Sequence, residues 1–137
     1  MALAADAPGS ERSARAHQAR VVNATDKASL HYIRSSGSRL FEEGSASGTL
    51  PGSMRVYCNI GATFTASFTI YTRRGSIVGR GTATPRGSGV YESFAGSLVA
   101  TGGTGIYVHA HGQAGLYGVL NRRTYALTVQ TTGRLSY

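Results

Sequence analysis

ATFTASFTIYTR, residues 62–73, puts Phe64, Ala66, Phe68 and Ile70 on one parity and Thr65, Ser67, Thr69 and Tyr71 on the other. Successive side chains of a strand point to opposite faces, so a period of two with one apolar parity predicts a β-strand buried on one side. The RRG turn at residues 73–75 and the run SIVGRGTATP, residues 76–85, continue this strand into a hairpin. Gly79 and Gly81 share a face of the return strand, where they admit close approach or strong curvature.

The same pattern extends both ways. Runs of β-branched and aromatic residues at 28–36, 39–50, 54–60, 90–100, 106–120 and 123–137 are separated by Gly, Ser and Pro punctuation, and with the hairpin pair they make eight strands. The last run sets Tyr125, Leu127, Val129, Leu135 and Tyr137 against Thr124, Thr128, Gln130, Thr132 and Arg134. With no amphipathic helix between them, these strands predict an all-β fold, an eight-stranded antiparallel β-barrel over residues 28–137. Closure removes the sheet edges that otherwise aggregate, and eight strands leave an interior just wide enough for one small ligand. Residues 1–27, rich in Ala, Ser, Arg and Gln with Pro8 and Gly9, have no apolar period. They read as a flexible or partly helical N-terminal tail, with a helical turn around residues 13–22.

Fourteen basic residues against six acidic ones give a net charge of +8. Thirteen of the fourteen are arginines, dispersed except for Arg73-Arg74 and Arg122-Arg123. No basic run of the kind that forms a nucleic-acid arm is present, so no nucleic-acid partner is expected. No apolar run reaches the roughly 18 residues that span a bilayer, and no membrane partner is expected. The first 20 residues lack the basic start and apolar middle of a signal peptide. Cys58 is the single cysteine, which rules out an intrachain disulfide and leaves both a cytoplasmic site and secretion after signal removal open.

VATGGTGIYVHAHG, residues 99–112, carries most of the motif-like features. Gly103-Thr104-Gly105 starts like a dinucleotide fingerprint, but its third glycine would fall on Val108, and no acid follows Glu92. A Walker loop and a G-x-S-x-G elbow are absent. His109 and His111, two apart on a strand, would project from one face. Their possible co-ligands, His31, Glu42, Glu43, Glu92 and Cys58, lie at no recognised metal spacing, so no metal and no cofactor is expected and the pair reads as a polar face or a subunit contact. Glu42, Glu43 and Glu92 are the only acids beyond the tail, too few for a paired-carboxylate glycosidase mechanism. Glu92 shares parity with Phe94 and Leu98, which would aim it into an apolar lumen; there it needs a raised pKa or a partner such as Arg34 or a tyrosine hydroxyl.

SLVATGGTGIYVHAHGQAGLYG, residues 97–118, resembles the TGG[ST]G-[IK]-[FY] turn of the allene oxide cyclase and dirigent barrel superfamily, with Gly112-Gln113 following Ile106 as in the family. FTIYTRRGSIVGRGT, residues 68–82, is similar to the family's aromatic strand, tight turn and glycine-bearing return strand, and MRVYCNI, residues 54–60, to its cysteine-bearing strand. The resemblance covers residues 54–137 and implies an eight-stranded antiparallel barrel with an apolar cavity, assembled as a trimer or another homo-oligomer such as a dimer. The cyclases of this family convert an unstable epoxide into a cyclopentenone, and dirigent proteins steer radical or quinone-methide coupling, both mainly by holding the substrate in shape. The match carries Cys58 onto a cavity-lining position. The cyclase's first-strand carboxylate has no counterpart in SLHYIRSSG, residues 29–37, which offers Tyr32 and Arg34 instead.

These readings converge on a cyclase- or isomerase-like barrel that binds a hydrophobic or polyketide-like molecule and guides its cyclisation or isomerisation by confinement. Tyr32 and Arg34 would orient a polar group, Glu92 would handle a proton, and Cys58, Phe68 and Tyr125 would line the cavity. A noncatalytic lipocalin-like carrier and a structural barrel remain alternatives. An interior packed solid by Phe64, Phe68, Leu127 and Val129 would exclude both enzyme and carrier.

Overall fold

A computed structural model describes residues 20–87 and 89–137. Eight strands follow in order: β1 (Val21–Ser36), β2 (Arg39–Gly48), β3 (Gly52–Asn59), β4 (Phe64–Thr72), β5 (Gly75–Arg86), β6 (Tyr91–Gly103), β7 (His111–Asn121) and β8 (Leu127–Ser136). Each pairs antiparallel with its sequence neighbours, and β8 pairs back onto β1 to close the barrel. The all-β, eight-stranded antiparallel architecture expected from the alternating pattern is therefore present.

The alternation works as the sequence requires. Phe64, Phe68 and Ile70 of β4 are buried, while Thr65 and Tyr71 between and after them face solvent. Inside a barrel this narrow, two large rings need small partners. Phe68 stands directly opposite Gly79 on β5 and Phe94 opposite Gly118 on β7, and each ring lies over its glycine. A Cβ at Gly79 would come 2.6 Å from the Phe68 ring, and one at Gly118 2.7 Å from the Phe94 ring. These large–small pairs let the wall curve tightly without a gap.

Three strands start four or more residues from where the sequence pattern places them. The first strand begins at Val21, so residues 21–27 belong to the barrel rather than to the tail, and Ala24, Asp26 and Ala28 continue its inner face. Residues 1–19 of the tail lie outside the described residues. The seventh strand starts at His111 rather than at Ile106: residues Gly105–Tyr107 form a 3-10 turn, entered through Gly105 at φ +62°, a left-handed conformation that glycine adopts without strain. Tyr107 folds back from this turn onto Tyr137, ring centroids 4.8 Å apart, and closes one end of the barrel with Leu50, Ile77, Ala110 and Leu135. The last strand starts at Leu127, leaving Tyr125 in the preceding turn at φ +59°.

Candidate functional site

The barrel interior holds a cavity of about 150 Å³, with Met54, Val56, Phe68, Leu98, Leu116 and Val129 among its lining and Cys58 in the wall. Phe64, Phe68, Leu127 and Val129, which could have filled the interior, form part of the lining of this void. A 150 Å³ void walled by aliphatic and aromatic side chains is the size that accepts a benzene-sized molecule. Asp26 of β1 and Thr131 of β8 also reach the lining.

Of the residues singled out from the sequence, Cys58 and Phe68 line the cavity. Tyr32, Arg34 and Glu92 are not brought together. The register of β1 against β2 shifts between Tyr32 and Arg34, so Ile33 is an extra residue in the ladder. Such a bulge reverses the facing of everything after it. Tyr32, opposite Glu42, keeps the inner parity of Leu30 at the barrel rim, where its hydroxyl donates to Ser35 Oγ at 2.8 Å. Arg34 is turned outside, its guanidinium 4.5 Å over the Phe41 ring, which stacks in turn on Tyr57. Tyr125 packs against Tyr32, ring centroids 5.7 Å apart, at the same rim and off the cavity wall.

Glu92 does turn inward with Phe94 and is buried, but Arg122 from the β7–β8 turn forms an ion pair and hydrogen bond with its Oε1. That partner is Arg122, neither Arg34 nor a tyrosine hydroxyl as the sequence suggests, and Glu92 is absent from the cavity lining. The pair closes the rim rather than serving the lumen. Replacing Arg122 with methionine is expected to cost about 2 kcal/mol by leaving a buried carboxylate unpaired, with a Glu92→Gln/Arg122→Met double variant recovering most of it. Urea unfolding of the three variants measures this; equal stabilities of Arg122→Met and wild type would show the pair to be idle.

The acid that stands without a partner is Glu42. It is 0 % exposed, and neither carboxylate oxygen has a hydrogen-bond partner among the described residues. Strand alternation with Leu40 and Ala46 sets it inside the barrel, opposite Val56 and beside Cys58. Burial pushes its carboxyl from an ordinary 4.5 up to about 7. The Cys58 thiol rises to about 11, through burial first and the Glu42 charge second, and is a neutral thiol at neutral pH. Asp26 is also raised by burial, opposed by hydrogen bonds from the Leu50 and Thr49 backbone.

Glu42 and Asp26 both carried a readable signal. Leu40, Glu42 and Ala46 share one parity, as do Ala24, Asp26, Ala28 and Leu30, so each acid interrupts an apolar face. His109 lies in the turn before β7 and His111 at its first position; both are exposed, and the His111 Nδ1 donates to the His109 carbonyl at 3.1 Å. Among the described residues no group of three or more His, Cys, Asp or Glu could hold a metal. No family model, curated protein or solved structure matches this chain.

Proposed function

We propose that the barrel holds a small apolar molecule in its lumen and guides its isomerisation or cyclisation by confinement. The observation that carries this reading is the largely hydrocarbon void of about 150 Å³ inside the barrel. Confinement of a reactive molecule in one folded shape supplies orientation without a strong acid or base. The volume sets the size of the guest, closer to one ring than to a long polyketide chain. The resemblance of residues 54–137 to the cyclase and dirigent barrels supports the same class. The apolar lumen and outward positions such as Lys27, Ser67 and Arg80 also suit a small guest held inside the barrel. Exposed Tyr91, Tyr117 and Val119 on β6 and β7 form the outer surface that a second copy would cover in a homo-oligomer.

One observation favours the carrier instead. Tyr32, Arg34 and Glu92, the residues read for chemistry, all lie off the cavity wall. The two readings separate on the fate of the guest. A molecule copurifying with the full chain is identified by native mass spectrometry, and after incubation it is recovered either as an isomer of unchanged mass, as the enzyme requires, or unaltered, as the carrier requires. Ala114→Trp, which places an indole in the void, is expected to lower guest affinity at least about a hundredfold. Unchanged affinity in a variant that retains the wild-type circular dichroism would remove the lumen as the site.

A further inference from the structure

Lys27, Thr82, Gln113 and Arg134 touch the lumen from outward positions of their strands, and of the inward positions that line it two carry side-chain oxygen, Asp26 and Thr131. Asp26 of β1 and Thr131 of β8 are direct cross-strand partners, and both line the cavity from inward positions of their strands. Their neighbours along the two strands, Ala24, Ala28, Val129 and Gly133, line it as well and are all without polar side-chain atoms. Asp26 is only 9 % exposed, and its Oδ1 accepts the Leu50 backbone N–H at 2.7 Å. A carboxylate offers about four acceptor positions, so this bond and the one from the Thr49 backbone still leave acceptor capacity on the group. Across the ladder, the Thr131 hydroxyl can both donate and accept.

The chemistry of the corner selects among guests. A ligand carboxylate would meet the negative charge of Asp26. An ammonium would have to be desolvated in a hydrocarbon lumen and approach a chain of net charge +8. A neutral hydroxyl loses least on entry and gains a charge-assisted O–H···O⁻ bond. We propose that Asp26 and Thr131 form a hydroxyl-binding corner of the lumen and that the guest is a small apolar alcohol or phenol about one ring in size. This rests on the lumen being the binding site. The guest hydroxyl donates to the Asp26 carboxylate and accepts from Thr131, while its hydrocarbon body lies toward Leu116 and Phe68.

Toluene and phenol, which differ by a methyl for a hydroxyl on the same ring, test the corner, with benzylammonium as the charged competitor. The full chain is titrated with each at pH 8 by calorimetry, alongside Asp26→Asn and Thr131→Val. Asparagine keeps an oxygen for the Leu50 N–H, and valine keeps the shape of threonine. The ratio of phenol to toluene affinity is expected to fall about tenfold in each variant, with toluene affinity unchanged. An unchanged ratio in both variants overturns the hydroxyl corner while leaving the lumen as a binding site. Tighter binding of benzylammonium than of phenol to wild type overturns the assigned ligand class. Failure of toluene itself to bind wild type overturns the lumen reading and the corner with it.

Discussion

Glu42→Gln is expected to become more stable relative to wild type by about 3 kcal/mol as pH rises from 4 to 8. The folded chain holds the Glu42 proton up to about pH 7, because both oxygens are buried without partners, whereas the unfolded chain releases it near 4.5. Between those values the unfolded state binds fewer protons than the folded one, so stability falls as pH rises through this window and stays low above it. Glutamine fills the same space and has no proton to lose. Asp26, also raised by burial, contributes in the same direction in both proteins and cancels in the comparison. Urea unfolding at half-unit pH intervals gives the two curves; parallel curves would show that Glu42 finds a partner when folded.

The second large effect is expected at Gly118. An alanine Cβ there would come 2.1 Å from the Thr128 carbonyl oxygen and 2.7 Å from the Phe94 ring, so β8 and the ring must both move. Overpacking that displaces backbone as well as a side chain is expected to cost about 3 kcal/mol or more. Gly115 on the same strand is the control: its Cβ would meet nothing nearer than 3.9 Å, and Gly115→Ala should be close to neutral. Adding Phe94→Leu to Gly118→Ala relieves the ring contact but not the carbonyl, so rescue should be partial. Equal unfolding midpoints for the two alanine variants would contradict the packing described.

The barrel was legible because alternation is a local signal. Phe64, Ala66, Phe68 and Ile70 declare a one-sided strand without reference to the rest of the chain, and strands joined by short turns leave little choice but to pair in order. The candidate site was less legible, because it depends on register. A single extra residue at Ile33 separates Tyr32 from Arg34, and nothing in the run SLHYIRSS, residues 29–36, announces the bulge. The parity of Glu92 with Phe94 sets it inward, but its partner Arg122 lies 30 residues away, a pairing set by the register of β6 against β7. Asp26 was missed for a different reason. A first strand that begins at Ala28 leaves the apolar parity of Val22, Ala24 and Ala28 outside it and puts Asp26, a carboxyl that reaches the cavity, in the tail. Tyr125 fell off the last strand because its left-handed conformation belongs to the turn held by Asn121, whose side-chain oxygen accepts the N–H groups of Arg123 and Thr124.

The pairing of β8 with β1 has a consequence for how the chain acquires its structure. Every other ladder joins strands adjacent in sequence, so seven of the eight pairings can form as short-range hairpins while the polypeptide is still being synthesised. The eighth cannot. Residues 21–30 present an unsatisfied edge until residues 127–136 have left the ribosome, and the nascent sheet remains open to a neighbouring nascent chain for that whole interval. Lys27 on the waiting edge, with Arg55 and Arg80 on the outer face of strands already formed, sets like charge between two such half-made sheets.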